Sequence, residues 1–328
     1  MLSRRRFLTH TAALASVSAA GLPLAAQAQA AWPAKPVRVV IPYGGAGVTD
    51  TLGRKLLDLM GKAVGQSFVV ENKGGAGGTL GMADALKGAP DGYTLALSAI
   101  SPITLSPHLM KLPYNPAKDM VAVAAMMYSP VYVLATPAFT GKNWEELIAQ
   151  AKAKAGHIRI ATAGVGSVGH IMLEQIQAKT GAQLVHVPYK GTGQMVTDAM
   201  GGQFELMLVN PFSTINGMIE QGKLRVIATT GPQRAPSQPS IPTLAEQGIP
   251  EANITSTFGF MGPAGISADV IARINELVQE QLKTPAMQEA LRSSDNIPLH
   301  MSPQEFGELM QKESANNATI IAKAKITL

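Results

Sequence analysis

The chain has 328 residues, of which 46% are hydrophobic and 15% are charged. This composition is typical of a globular protein, and the length suits two domains. The absence of cysteine excludes disulfides, thiolate metal sites and cysteine nucleophiles. The formal net charge of +5 falls to +2 once Arg4, Arg5 and Arg6 of the N-terminal leader are set aside, so nothing here indicates nucleic-acid binding.

The N-terminus has the three-part pattern of a secretory signal. The basic start "SRRRFL" carries a twin arginine, the apolar stretch "TAALASVSAAGLPLAA" follows, and two small-x-small triplets "AQA" end at residues 28 and 30. A membrane anchor is disfavoured because the apolar stretch is too short and too rich in alanine to span about 30 Å of hydrocarbon. Residues 1–30 are therefore predicted to be a twin-arginine-type signal peptide, cleaved near residues 28–31, which places the mature protein in the periplasm.

Strand-like and helix-like segments alternate from residue 37 onward. The stretches "VRVVIPY", "QSFVVEN" and "YTLALSA" are predicted strands, with helices at "LGRKLLDLMGKAV" and "GTLGMADALKGA" between them. A new section begins at "YSPVYVLATP", and the alternation returns from a helix at "NWEELIAQAKAKAG", which Asn143 is expected to cap. Two C-terminal helices follow a proline-rich connection, and the first begins at Ser267. The pattern predicts two tandem α/β units with mostly parallel sheets, and a cleft between them for a small ligand.

Three strand-to-helix turns are rich in glycine: "YGGAGVTD", "NKGGAGGTLG" and "ATAGVGSVGH". A helix N-terminus carries unpaired N–H groups and a partial positive charge, so each turn is a candidate anion site. The alternative is that glycine only permits a tight turn. Gly164, Gly166 and Gly169 have the spacing of a dinucleotide fingerprint, but the next strand, "LVHVPYK", lacks the acid that would bind the ribose, so no cofactor is predicted.

Catalysis has little support in the sequence. The histidines are not in metal-ligand spacing, so no metal site is predicted, and no Gly-x-Ser-x-Gly elbow is present. Ser167 and His170 lie close together, and an exported serine hydrolase is the alternative they leave open. No acid is placed to orient the histidine, which favours Ser167 as a helix cap or a ligand hydrogen-bond donor.

The whole chain beyond the leader resembles the solute-binding proteins of tripartite tricarboxylate transporters, also called Bordetella uptake gene or Bug proteins. The matching stretches, in order, are "WPAKPVRVVIPYGGAGVTD", "VVENKGGAGGTLGMADALKGAPDGYTL", "LPYNPAKDM", "VHVPYKGTGQMVTDAMGGQFELM", "GKLRVIATTGPQRAPSQPSIPTLAEQGIP" and "GFMGPAG". The resemblance implies a two-lobed periplasmic-binding-protein fold of the type II kind, with two crossover strands as the hinge. One lobe would comprise residues 31–130 plus 255–328 and the other residues 131–254.

The resemblance also implies a function. The protein would capture a small carboxylate, such as a dicarboxylate, a tricarboxylate or an aromatic carboxylate, and deliver it unchanged to integral-membrane transporter subunits. A sensor that presents its ligand to a membrane signalling protein is an alternative that the sequence leaves open. We expect a monomer. In the family the carboxylate is held by backbone groups and ordered waters rather than by an arginine.

The resemblance and the loop "SAISPITLSP" together define the candidate ligand-binding residues. Tyr43 would cover the ligand, and the first turn would supply N–H groups and a hydroxyl. Ser167 would be the small hydroxyl residue of the second-lobe turn. The full set is Tyr43, Gly45, Ala46, Gly47, Val48, Thr49, Ser98, Ser101, Gly164, Ser167, Tyr189, Gly191 and Asn210.

Two departures from the family pattern bear on the ligand. Gly44 and Val48 stand where the common first turn has a proline and a glycine. Val209 stands where many members have an aspartate that suits an ammonium group, so an amino-acid ligand is disfavoured.

The remaining predictions concern single side chains. Asp50 is expected to stabilise the first turn of its helix, because a carboxylate beside a bound carboxylate would repel it. Lys190 is expected to reach solvent. Gly47 is expected to need a positive φ or to leave room for the ligand. Ile100 and Ile103 either face the ligand or pack beneath their loop.

Overall fold

Residues 32–324 and residue 326 are the part of the chain that the computed structural model describes. The predicted signal peptide lies outside these residues. The first alternating unit has the predicted elements, followed by two short helices and a long strand. In chain order the elements are β1 Val37–Ile41, α1 Val48–Val64, β2 Phe68–Asn72, α2 Thr79–Ala85, β3 Thr94–Ala99, α3 Ser101–Thr104, α4 Pro116–Asp119 and β4 Met120–Ser129.

The second alternating unit follows after two residues. Its elements are β5 Tyr132–Ala135, α5 Trp144–Ala153, β6 Ile158–Thr162, α6 Val168–Thr180, β7 Leu184–Pro188, α7 Thr192–Met200, β8 Leu206–Val209, α8 Ser213–Glu220 and β9 Arg225–Ala228. An irregular, proline-containing connection then leads to the C-terminal elements. They are β10 Ser256–Pro263, α9 Ala268–Leu282, α10 Pro285–Arg292, β11 Ile297–Pro298 and α11 Pro303–Ala324.

The strands form two separate sheets, each of which is the centre of a lobe. The first lobe has the six-stranded order β11-β4-β10-β3-β1-β2, and the second has the five-stranded order β7-β6-β8-β5-β9. The predicted two-lobed α/β fold is therefore confirmed. The chain passes from the first sheet to the second between Ser129 and Tyr132, and it returns between Ala228 and Ser256.

Both sheets are mixed, which corrects the expectation of mostly parallel sheets. Strands β2 and β3 pair parallel to β1, and β7 and β8 pair parallel to β6, as crossover helices require. The pairs β10–β3, β10–β4, β11–β4, β5–β8 and β5–β9 are antiparallel. The physical reason is the passage between lobes: β4 leaves the first sheet and β10 returns to it, so these neighbours run in opposite directions.

Local capping explains where the main helices begin and end. Asn143 Oδ1 accepts a hydrogen bond from the Glu146 amide (2.9 Å), and Ser267 Oγ accepts one from the Val270 amide (3.4 Å), which confirms both predicted caps. Helix α1 ends at Val64, and the next residue, Gly65, has a left-handed backbone (φ 67°) that suits glycine.

The apolar core runs through both lobes. Leu56 and Leu97 of the first lobe belong to a cluster that continues across the hinge to Tyr132 and Phe212. A second cluster fills the outer part of the second lobe. Within the part of the chain that the structure describes, no helix has both the length and the apolar character needed to cross a bilayer.

Candidate functional site

A cavity lies between the two lobes, where the strand ends of both sheets meet. It encloses about 670 Å³ of space, its open mouth included. Three helix N-termini, those of α1, α6 and α7, contribute to its wall, and strand ends near the hinge form its floor. The lining residues are Tyr43, Gly44, Gly47, Val48, Thr49, Asp50, Ala99, Ser101, Val131, Ala163, Ser167, Val168, Gly169, Gly191, Thr192, Met195, Leu208, Val209, Asn210, Ser256 and Phe258.

The N-terminus of α1 brings backbone donors to the cavity. The first intrahelical bond runs from the Thr51 amide to Gly47 O (2.8 Å), so the amides of Val48, Thr49 and Asp50 precede the helix's own ladder. Gly47 is the N-cap and provides no side-chain acceptor for them. Val48 and Thr49 line the cavity, and their amides, which the helix does not use, are therefore available to a ligand there.

Two details of this first turn correct the sequence expectations. Gly47 has an extended backbone (φ −97°), so no positive φ requires glycine there. The residue with a positive φ is Ala46 (62°), which is exposed and lies outside the cavity wall. Space limits Gly47 instead, because a Cβ there would lie 3.0 Å from Thr192 Oγ1 of the opposite lobe.

Asp50 is the one charged residue among those lining the cavity, and its oxygens are already engaged. Oδ1 accepts from Arg54 Nε (2.8 Å) and Asn72 Nδ2 (3.0 Å), and Oδ2 accepts from the Ala46 amide (3.0 Å). The carboxylate thus lies in the first turn of α1, where its negative charge interacts favourably with the positive end of the helix dipole. Among the residues that the structure describes, no lysine, arginine or histidine lines the cavity. Among the described residues, no group of three or more acidic or histidine side chains is placed to hold a metal ion.

The second-lobe turn before α6 has a side-chain cap. Ser167 Oγ accepts from the His170 amide (3.3 Å), which leaves the Ser167 O–H free to donate into the cavity. His170 Nδ1 accepts from the Gly166 amide (3.3 Å), and its ring stacks on His186 at 4.3 Å between centroids. The imidazole is therefore committed to the turn and not to the serine hydroxyl, so the geometry gives no support to a serine nucleophile.

The stacked histidines are held neutral beneath this turn. Burial lowers the pKa of His170, and burial together with the nearby His170 lowers the pKa of His186 to about 4. His186 Nε2 lies 2.7 Å from Thr162 Oγ1, and Thr162 Oγ1 in turn accepts from the Gly164 amide (3.2 Å). The histidine pair therefore supports the backbone of the second-lobe turn.

The third helix N-terminus, that of α7, was only partly anticipated. Gly191 is its N-cap, and Thr192 lines the cavity beside it. The signal was present in "YKGTG", where a hydroxyl residue follows the glycine that begins a helix. The predicted wall residue Tyr189 turns away instead: its hydroxyl donates to Asp198 Oδ2 (2.7 Å), and burial with this bond raises its pKa to about 12.

Tyr43 closes one side of the cavity and is supported from behind. Its hydroxyl lies 3.4 Å from Ser98 Oγ, and Ser98 is fully buried and donates to Ala99 O (2.7 Å). Burial raises the pKa of Tyr43, which keeps the phenol neutral. Ser101 lies on the wall itself, whereas Ser98 does not. The two isoleucines of this loop, Ile100 and Ile103, pack into an apolar cluster beneath it and do not line the cavity.

The cavity floor is largely apolar. We define it by the strand ends near the hinge: Val131, Leu208, Val209, Asn210, Ser256 and Phe258. Asn210 is held there by a hydrogen bond from its Nδ2 to Pro130 O (2.8 Å). Met195 and Ala99 add further apolar surface, so a ligand body of low polarity fits this side.

The structure thus brings together part of the predicted set. Eight of the predicted residues line the cavity: Tyr43, Gly47, Val48, Thr49, Ser101, Ser167, Gly191 and Asn210. The structure does not place the other five on its wall: Gly45, Ala46, Ser98, Gly164 and Tyr189. The sequence analysis missed the apolar floor, because residues such as Val131 and Phe258 look like ordinary core residues in sequence.

Glycines also form the contact between the lobes, which we call the glycine seam: Gly44, Gly74, Gly77, Gly164 and Gly191. The Gly44 amide donates to Lys190 O across the cleft (3.0 Å). A Cβ on Gly191 would lie 2.5 Å from Gly44 N, and one on Gly77 would lie 2.3 Å from Val165 O. The lobes therefore touch backbone to backbone, and Gly164, predicted to bind ligand, belongs to this seam.

Two lobes that close over a cavity lined by helix N-termini define a solute-binding protein. The family model described as "Tripartite tricarboxylate transporter family receptor" matches residues 52–326, and the chain belongs to this family. The chain is 33% identical to Protein BugT of Bordetella pertussis, over 84% of each chain. Its relatives are solute-binding proteins, so the chain is a receptor and not an enzyme.

Two solved structures are similar over nearly the whole fold. One is an R. palustris protein with adipate, at 27% identity and a TM-score of 0.84, and it covers 90% of this chain and 99% of that one. The other is MatC from Rhodopseudomonas palustris with bound malate, at 28% identity and a TM-score of 0.83, covering 88% and 99%.

Proposed function

We propose that this receptor binds a small dicarboxylate in the cavity between its lobes and leaves it chemically unchanged. The observation that carries the proposal is the convergence of three helix N-termini on a cavity whose described lining residues include no cationic side chain. Unpaired amides and helix dipoles favour carboxylate oxygens at this position. The adipate and malate in the two similar structures, both dicarboxylates, support the same ligand class.

The carboxylate-binding groups proposed for this chain are the amides of Val48 and Thr49 and the hydroxyls of Ser101, Ser167 and Thr192. Val48 and Thr49 precede the hydrogen-bond ladder of α1. Ser167 retains its O–H after capping α6. Tyr43 would cover the ligand, and the apolar floor would accept its carbon chain.

The proposed cellular role follows from the family. The receptor would be exported by the predicted signal peptide of residues 1–30, act as a periplasmic monomer and deliver its ligand to integral-membrane transporter subunits. Residues 31–130 with 255–328 would move as one rigid body and residues 131–254 as the other. The family description supports the transporter as partner.

A carboxylate panel tests the proposed function. Purified protein is heated with succinate, malate, adipate, citrate and benzoate, and with a sugar as the comparison. A ligand that binds only the native state should stabilise it by roughly 2.7 kcal/mol at a hundredfold excess over Kd. A shift with a dicarboxylate supports the proposal, whereas a shift with the sugar alone contradicts it. Chromatography of the recovered ligand should show no product.

A further inference from the structure

Asn210 is the only amide side chain on the cavity floor, and its orientation is fixed from below. It follows β8 directly, and its Nδ2 donates to Pro130 O (2.8 Å) at the first passage between lobes. Turning the amide over would set Oδ1 against the Pro130 carbonyl, acceptor against acceptor. Oδ1 and the second Nδ2–H of Asn210 are therefore left for the cavity, and no described residue donates a hydrogen bond to Oδ1.

This orientation places an acceptor where the ligand lies. A carboxylate, also an acceptor, gains nothing from Oδ1, so the atom needs a donor from another part of the ligand. The neighbours Val131, Val209 and Phe258 are apolar, and the hydroxyl of Ser256 on the same floor makes no hydrogen bond to this oxygen. Asn210 is half-buried, and a ligand in the cavity would shield Oδ1 from water, so a ligand that leaves this oxygen without a donor is disfavoured.

The charge of the cavity restricts what that donor is. An ammonium group would need an anionic partner, and the one acid on the wall, Asp50, is engaged by Arg54, Asn72 and the Ala46 amide. A neutral hydroxyl needs only one acceptor and carries no charge into the apolar floor. The donor that fits Asn210 is therefore a hydroxyl group.

We propose that Asn210 Oδ1 selects for carboxylates that carry a hydroxyl, so hydroxylated dicarboxylates are preferred over unsubstituted and aminated ones. The inference rests on the proposed function, since it presupposes that the cavity holds a dicarboxylate. It deepens that function from the ligand class to a specific group on the ligand and the residue that recognises it.

Malate, succinate and aspartate test the proposal, because they share a four-carbon dicarboxylate skeleton and differ at one substituent. Titration calorimetry on the wild-type protein should show malate binding about tenfold or more tightly than either of the others. In Asn210→Leu, the affinity for malate should fall about tenfold while the affinity for succinate changes by less than about threefold, so the preference disappears. Asn216→Leu is the matched control, since Asn216 lies outside the cavity, and it should keep the preference for malate.

Asn210→Asp provides a second variant that retains an acceptor at the same position. Its added charge should shift the preference from malate toward aspartate, and this measurement holds even if the leucine variant does not fold. Equal affinity of the wild-type protein for malate and succinate would overturn the inference while leaving the proposed function intact. Binding of none of the three would overturn the inference too, and the wider carboxylate panel then decides the proposed function separately.

Discussion

The turn before α1 and the turn before α6 look alike in sequence, yet they treat their helix amides differently. The first has a bare N-cap, Gly47, and leaves the amides of Val48 and Thr49 to the cavity. The second is capped by Ser167 and is supported from beneath by His170 and His186. The first turn thus offers backbone N–H groups to the cavity, whereas the second holds its shape through side-chain hydrogen bonds and offers the Ser167 hydroxyl.

The glycines of the strand-to-helix turns differ in what they contact. Gly169 allows close packing within its own lobe, where a Cβ would lie 3.2 Å from Leu208 Cβ. Others, such as Gly77 and Gly164, lie where the opposite lobe's backbone comes closest. Glycine is required at the seam because a Cβ would occupy the space of backbone atoms, which cannot move aside as a flexible side chain can.

The seam is most sharply tested by Gly191→Ala, for which we expect the largest effect. Gly191 is extended (φ 171°), so alanine fits its backbone, but the new Cβ would lie 2.5 Å from Gly44 N in the other lobe. The variant should fold yet fail to close, and affinity should fall by about 100-fold if only about 1% of molecules reach the closed state. Calorimetry measures the affinity, and small-angle scattering measures whether ligand still compacts the protein.

Gly217→Ala is the control for this change. Gly217 lies in α8 of the same lobe with nothing within 4 Å of a new Cβ, so ligand binding should be unchanged. If Gly191→Ala binds and compacts like the wild-type protein, the seam is not formed in the bound state.

The histidine support of the second turn should appear as a pH dependence of stability. The pKa of His186 is about 4 in the folded protein and about 6.5 when unfolded, so between these values the unfolded chain binds more protons. The stability that the neutral His186 side chain contributes is complete above pH 6.5 and is lost as the pH falls toward 4. At ~1.4 kcal/mol per pKa unit, the free energy of unfolding should fall by roughly 3 kcal/mol.

Denaturant titrations of the wild-type protein and of His186→Gln across this range measure that loss. The glutamine variant keeps a polar side chain without a titrating group, so its stability should depend less on pH. Identical pH profiles for the two proteins would show that the second turn does not depend on a neutral His186.

The donor role of the first turn is tested by Val48→Pro. Proline is tolerated at the first helical position, and it removes one N–H that α1 itself does not use. The loss of one amide–carboxylate hydrogen bond should weaken dicarboxylate binding by about 2 kcal/mol. Ala268→Pro, at the same position of α9 and outside the cavity, should leave binding unchanged. An unaffected affinity in Val48→Pro would mean that this amide does not hold the carboxylate.

The smallest effect is expected from the lysines near the seam. Lys73 pairs with Asp84 (2.9 Å) and Lys190 is exposed, and neither lines the cavity. Lys73→Ala and Lys190→Ala should each weaken the free energy of ligand binding by less than about 1 kcal/mol, because exposed charges are screened. Loss of ligand binding in either variant would instead indicate an ion pair to the carboxylate.

The sequence by itself determined the elements whose signals are local. The apolar face of α1, the caps Asn143 and Ser267, and the repeated strand–helix alternation all follow from side chains a few residues apart. The glycine turns, with Ser167 and Thr49, identified most of the polar wall for the same reason. These features depend on backbone propensity and short-range hydrogen bonds, which a linear sequence displays directly.

Only the tertiary structure decided what depends on residues far apart in the chain. Strand β4 was missed because "MVAVAAMMYS" is a nearly continuous apolar run that shows no alternation, and the short helix α10 was missed between the two predicted C-terminal helices. The mixed sheets follow from the two passages between lobes. Which glycines contact the opposite lobe depends on how the lobes meet. The direction of the Asn210 amide likewise depends on a carbonyl 80 residues away, a contact that no local pattern encodes.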